Sequence, residues 1–277
     1  MGLSTEEIMQ LALELSGFES VPADSAIYHP GEELQSALIG IDLGAAELFI
    51  AKQLGFDVVI SHHPQGGVST LNFPEVLTRH VEMMTEHGVP RDVAERAIAA
   101  RIHDARCQAH AANYDHAPSF ARLLDIAYMN VHLPLDEIGR RRMAAVAQKL
   151  SPESTVQELI DAFYAELGEF RNAQTRIDVR VGHPKDPLGR VVLAHACGTN
   201  GGYPVAKAYF EHGIDTVIYI HCSGPDSRKL QAEFEGKGKN LIVTGHIAGD
   251  SLGINPFIEA LEAQGLRVTR ASGVIPP

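Results

Sequence analysis

Cysteine is scarce in this chain. Three cysteines among 277 residues, Cys107, Cys197 and Cys222, lie far apart and never in CxxC spacing. That argues against a disulfide framework and against a thiolate zinc site. Long apolar runs are missing too, and none approaches the roughly 18 residues that a membrane-spanning helix needs. No association with a membrane is expected. Long basic runs are equally absent, and the net charge is −12. Phosphate-backbone recognition needs a clustered positive footprint, so nucleic acid is not expected as an obligate partner. A small anionic substrate held by metal or backbone groups stays compatible with this charge. The opening MGLSTEEIMQLALELSGF carries Glu6, Glu7 and Glu14 and no basic region. It reads as an amphipathic helix, not as a signal peptide, and the expected location is cytoplasmic.

What the chain does have is histidine, 14 residues against 10 Phe, in a sequence that is 45% hydrophobic. Several of these histidines follow apolar runs. ALIGIDL (37–43) reads as a strand, GAAELFIAKQLG as a helix stopped at Gly55, and DVVIS (57–61) as the next strand. Strand, helix and strand with short connections form a βαβ unit, which implies a parallel sheet. The pattern returns in RVVLAHA (190–196), helical VAKAYFEHG and DTVIYIH (215–221). NLIVTG (240–245), a helix after Asp250 and the strand LRVTRAS complete the chain. The repeat predicts an α/β protein of two similar α/β halves, 1–170 and 171–277. Between the two βα patterns runs a helical middle: 73–112 broken at Gly88 and Pro90, then 117–125, a strand at 126–132, and helices at 137–150 and 155–167.

In parallel α/β sheets, ligand groups gather at the carboxyl ends of strands. Three strand ends deliver a histidine pair or a histidine four residues before a carboxylate: VVIS-His62-His63, YMNV-His132-LPL-Asp136 and LIVTG-His246-IAG-Asp250. A fourth, TVIYI-His221, delivers histidine alone. Imidazole and carboxylate without thiolate suit Zn, Fe(II) or Mn. Pro134 between His132 and Asp136 predicts a loop there, and Gly245 and Gly249 predict a turn holding His246 and Asp250 before a helix from about Ser251. This donor set is large enough for two ions, and two ions about 3.5–4 Å apart can activate water and clamp both oxygens of a displacement.

Taken in order, ALIGIDLGAAELFIAKQLGFDVVISHHP, HLPLD and VTGHIAGD resemble the motifs of the Nif-three-like family, which also carries the label GTP cyclohydrolase I type 2. The resemblance covers nearly the whole chain and implies the Nif-three-like fold. It also implies a metal set of His62, His63, Asp136, His246 and Asp250 holding two divalent ions per chain, with His132 beside them as a supporting neighbour or proton shuttle and not as a direct ligand. It further implies a homo-oligomer in the form of a hexameric ring. Two features depart from the family pattern. Asp250 stands where the family has Glu, one methylene longer. The interval from His63 to Asp136 is longer, which places a helical insertion at about 90–124 in the first half, as a lid, an oligomer contact or a substrate wall.

Plainer readings stand beside these. His62 and His63 alone would do as a strand-end pair, and Asp136 or Asp250 as a helix N-cap. His221, His195 and Cys197 have no motif position, and Cys222 reads as a small buried hydrophobe. CGTNGG lacks the order of a phosphate loop and is more simply a turn. His103-Asp104 suggests a polar helix face and Arg140–Arg142 an exposed helix start. The function expected is metal-dependent hydrolysis of a phosphoester, an anhydride or a cyclic C–N bond. The rival is a ring-forming scaffold or metal-handling protein without turnover.

Overall fold

The structure, a computed structural model, describes residues 2–277. Nine strands fall in chain order at β1 (Ala26–His29), β2 (Ser36–Gly40), β3 (Val58–Ser61), β4 (Ala127–Asn130), β5 (Asp178–Val181), β6 (Val191–Leu193), β7 (Thr216–Tyr219), β8 (Asn240–Val243) and β9 (Arg267–Ala271). They form two sheets, ordered β1-β4-β3-β2-β9 and β5-β8-β7-β6. In each sheet an antiparallel edge strand (β1 or β5) borders three parallel ones, and both edge strands carry a register irregularity. β5-β8-β7-β6 thus repeats β1-β4-β3-β2, and the fold has two similar α/β halves. β9 is added to the first sheet parallel to β2.

The chain divides into two compact units. The first holds the chain through Val76, Ala105–Gly139 and Asp250–Ile275, and the second holds Leu77–Asp104 and Arg140–Gly249 with the last two prolines. In the first unit, side chains alternate across the pleat. Ala37, Ile39, Val58, Ile60, Ala127 and Met129 share a core with Ile8 and Ala12 of helix Thr5–Ser16 and with Phe257 and Leu261 of helix His246–Ala263. Leu38, Val59 and Tyr128 point the other way, into a core with Leu48 and Ala51 of helix Ala45–Leu54 and Ala121 of helix His116–Leu124. Both faces are covered, so these strands read as continuous apolar runs.

Helix ends follow their local chemistry. Ser4 and Glu7 form a reciprocal capping box at the first helix, and Thr155 with Glu158 does the same at Val156–Glu166. The middle of the chain breaks where expected: one helix ends at Glu86 and the next, Arg91–Ala111, begins after Pro90. Two expectations fail. Leu133–Ala147 and His246–Ala263 are helical from those residues on, so Asp136 and Asp250 lie on helices and not on loops. Pro134 sits in the first turn, where its missing N–H costs no hydrogen bond.

Candidate metal centre

The stretch VVISHHPQGG ends β3 within the first unit. Its ladder with β2 runs past the strand, since His62 N–H donates to the Gly40 carbonyl and His63 N–H to the Ile41 carbonyl. Pro64 cannot extend that ladder. Gly66 then turns the chain, and a Cβ there would lie 2.5 Å from the Tyr114 carbonyl oxygen, so only glycine fits that approach.

Two further elements bring groups to this strand end. β4 leads into His132, whose carbonyl accepts from Asp136 N–H in the first turn of helix Leu133–Ala147. Helix His246–Ala263 carries Asp250. At Gly253, three residues beyond, an added Cβ would stand 1.8 Å from the Leu135 carbonyl oxygen. Glycine therefore lets this helix pack backbone to backbone beside Asp136, and the two carboxylates converge on one imidazole.

That imidazole is His62. Its Nδ1 lies 3.0 Å from the Val131 carbonyl oxygen, an acceptor that needs a proton on Nδ1. A neutral ring then presents a bare lone pair at Nε2, which has no hydrogen bond. Nε2 faces Asp136 Oδ1 at 3.3 Å and Asp250 Oδ1 at 3.9 Å. His62, Asp136 and Asp250 are 1%, 5% and 2% exposed. A lone pair opposite two buried carboxylates is repulsive unless a cation or an additional proton lies among them.

His63 and His132 repeat the arrangement. His63 Nδ1 is 2.8 Å from Asp42 Oδ1, and its Nε2 is 3.4 Å from Asp250 Oδ2. His132 Nδ1 is 2.7 Å from Asp24 Oδ2, and its Nε2 is 3.7 Å from Asp136 Oδ2. Each ring is thus tied at Nδ1 to an oxygen and directs Nε2 at the carboxylates. Orientation of this kind fixes the tautomer of ligating histidines. Donor atoms of His62, Asp136 and Asp250 lie within 4.8 Å of one another, as do ring nitrogens of His62, His63 and His132. These clustered groups could hold a metal ion, and the buried Nε2 lone pair facing two carboxylates fits one.

Protonation reports the same field. Burial acts to lower the pKa of His132, but the carboxylates of Asp136 and Asp24 outweigh it and push it up to about 9. Burial opposes the shift at His63 as well, and Asp250 and Asp42 raise its pKa. In the metal-free chain, protons therefore supply part of the positive charge that a bound cation would bring.

Three residues here were not among the site candidates named from the sequence. Asp24 and Asp42 orient His132 and His63. Asn130, buried on β4, donates from Nδ2 to the carbonyls of Asp24 and His62 and accepts from the Tyr28 hydroxyl. Asp42 ends ALIGID and Asn130 immediately follows YM, so both are visible as polar residues closing apolar runs. Asp24 lies 108 positions from its partner, in a loop with no pattern.

The other sequence candidates fall in the second unit or on surfaces. His246 begins the helix that carries Asp250 one turn later; it is exposed, with its ring 4.7 Å from that of His221. His195 is buried just before the turn CGTNGG, which opens on buried Cys197; in it Gly198, Gly201 and Gly202 take positive φ and Asn200 accepts from Ile220 N–H. His103 and Asp104 lie on helix Arg91–Ala111, Asp104 exposed. Among the described residues, no helix is long and apolar enough to cross a membrane.

No family model matches the sequence, and none of the curated proteins does. Solved structures do. A NIF3 superfamily protein from Sphaerobacter thermophilus is 51% identical over 98% of this chain and 99% of that one, with a TM-score of 0.94. Reduced HcgD from Methanocaldococcus jannaschii (13% identity, 98% and 99% covered, TM-score 0.57) and the hypothetical protein SA1388 from Staphylococcus aureus (12%, 98% and 97%, 0.54) share the fold. With half its residues identical to the Sphaerobacter protein over nearly the full length of both, the chain belongs to the NIF3 superfamily.

Proposed function

We propose that this chain is a metal-dependent hydrolase that acts on a phosphoester, an anhydride or a cyclic C–N bond. The observation that carries the reading is the set of three imidazoles, each held at Nδ1 by an oxygen and directing Nε2 at two buried carboxylates. His62, His63, Asp136 and Asp250 would hold divalent ions, and His246, one turn before Asp250 on the same helix, is the fifth donor of the set. Bound divalent ions supply Lewis acidity and water activation at neutral pH. The carboxylates fix the ions, and the Val131 carbonyl and Asp42 hold His62 and His63 in the tautomer that leaves Nε2 open. His132 gives and takes a proton at Nε2 while Asp24 holds its Nδ1.

We further propose that the chain works as a homo-oligomeric ring. Apolar side chains exposed on helices Ala45–Leu54 and His116–Leu124, among them Leu54 at 69% and Leu123 at 78%, favour self-association.

The test is hydrolysis of p-nitrophenyl phosphate, nucleoside triphosphates and the GTP ring by protein loaded with Zn, Mn or Fe(II). Turnover that needs metal and disappears in Asp136→Asn supports the reading. Full metal occupancy with no turnover on any of these moves the non-catalytic metal-handling or scaffold role to the front.

A further inference from the structure

Helix Arg91–Ala111 lies within the interval 90–124 that the sequence marks as a helical insertion. Beside the centre, within the first unit, lies an open cavity of about 270 Å³. One wall is Pro64, the residue after His63, with Thr70 and Phe73. The ring of Phe73 sits 6.1 Å from that of His132, so this wall reaches the candidate site directly. The opposite wall comes from the C-terminal end of the insertion helix and the residue after it: Ala105, Gln108, Ala109 and Ala112. The alanines recur at i, i+4 and i+7, one helical face that stands back from Phe73 and leaves a slot.

The lining is selective. It contains no ionisable side chain, so it offers no charge to pair with a phosphate or carboxylate. The rings of Pro64 and Phe73 and the alanine methyls provide apolar contact area. Thr70 and Gln108 add one hydroxyl and one amide, which together donate and accept. The volume falls just below the roughly 300 Å³ at which whole-ligand pockets begin, so the slot suits part of a molecule.

We propose that this slot binds an uncharged planar ring of the substrate, aromatic or heteroaromatic, stacked by Phe73 and Pro64 and read at its edge by Gln108 and Thr70. Calling that ring part of a substrate rests on the hydrolase reading above; its binding in the slot does not. The insertion helix then sets specificity, while the bond to be cleaved extends from the ring toward His132 and the carboxylates.

The test uses benzamide as a probe, a neutral ring with an amide edge, against hexanamide, its flexible aliphatic counterpart. Both are titrated by ligand-observed NMR into the full chain as purified with metal. The expected result is saturable benzamide binding with Kd on the order of 1 mM. Binding should weaken about three- to tenfold in Gln108→Ala, the value of one lost hydrogen bond. It should vanish in Ala112→Phe, whose ring fills the slot. Gln108 is exposed on its helix, so that variant keeps the fold. No saturable benzamide binding, equal binding of hexanamide, or binding unchanged in both variants would overturn the proposal. Benzamide binding without hydrolysis of any substrate above leaves the ring slot standing and removes the hydrolase reading. Hydrolysis without benzamide binding does the reverse.

Discussion

His132 Nδ1 lies 2.7 Å from Asp24 Oδ2, a contact between residues 108 positions apart in the chain and both buried. The same carboxylate orients the ring and raises its pKa. Asp24→Asn keeps the shape and removes the charge. In the metal-free protein the His132 pKa should then fall by about one unit or more from its value near 9, read from its ring protons by NMR titration. Metal affinity or turnover should drop about 10- to 100-fold, the usual effect of losing such an orienting partner. An unchanged titration would mean that Asp24 does not hold the proton in place.

Gly253 governs how closely the helix carrying Asp250 approaches Leu135. A methyl group there would meet the Leu135 carbonyl at 1.8 Å, so Gly253→Ala must push backbone apart. Forced overpacking of this kind costs about 1–3 kcal/mol. Thermal melts should show that loss, and metal affinity should fall with it because Asp250 moves from Asp136. A variant as stable and as metal-rich as the parent would contradict the packing account.

A second histidine gives an acid-sensitivity prediction that is independent of metal. His80 is fully buried in the second unit, with Nε2 2.8 Å from the Thr199 carbonyl oxygen. Burial is the main cause that lowers its pKa, to about 4. Between pH 6.5 and 4 the unfolded chain therefore binds a proton that the folded chain refuses. Stability from this residue is complete above pH 6.5 and is lost as the pH falls toward 4, by about 3 kcal/mol. Denaturant melts across that range should show the decline in the parent chain and a flatter profile in His80→Gln. Equal slopes would assign the acid sensitivity elsewhere.

Leu54 and Leu123 test self-association. Leu54→Glu with Leu123→Glu places charge on the exposed apolar helices and should shift the mass in light scattering from an oligomer to the 30 kDa chain. An oligomer that survives both changes would move the interface to another face.

Much of the fold was legible because burial on both faces writes strands as apolar runs: VVIS, AYMN, TVIY and NLIV are all fully buried. β1 was missed because AIYH is a half-exposed edge strand with mixed residues. The two helix starts were missed for a local reason. Pro134, Gly245 and Gly249 read as breakers, yet a proline in the first turn is tolerated and Gly249 faces Ile220, whose side chain leaves no room for a Cβ. At the candidate centre, His62, His63, His132, Asp136 and Asp250 were visible as polar groups at or just beyond strand ends. Asp24 was not, because it acts through tertiary contact alone. The slot beside Phe73 was invisible as well, since it depends on how a helix stands off from a loop, and alanines spaced along a helix do not report that.

The central claim is that these residues hold metal. The most direct measurement is metal content per chain by elemental analysis on tag-free protein purified without chelator, in parallel with the double variant His62→Ala/Asp250→Ala. The account predicts about two divalent ions per chain in the parent, lost in the double variant. Substoichiometric metal that the substitutions leave unchanged would contradict it.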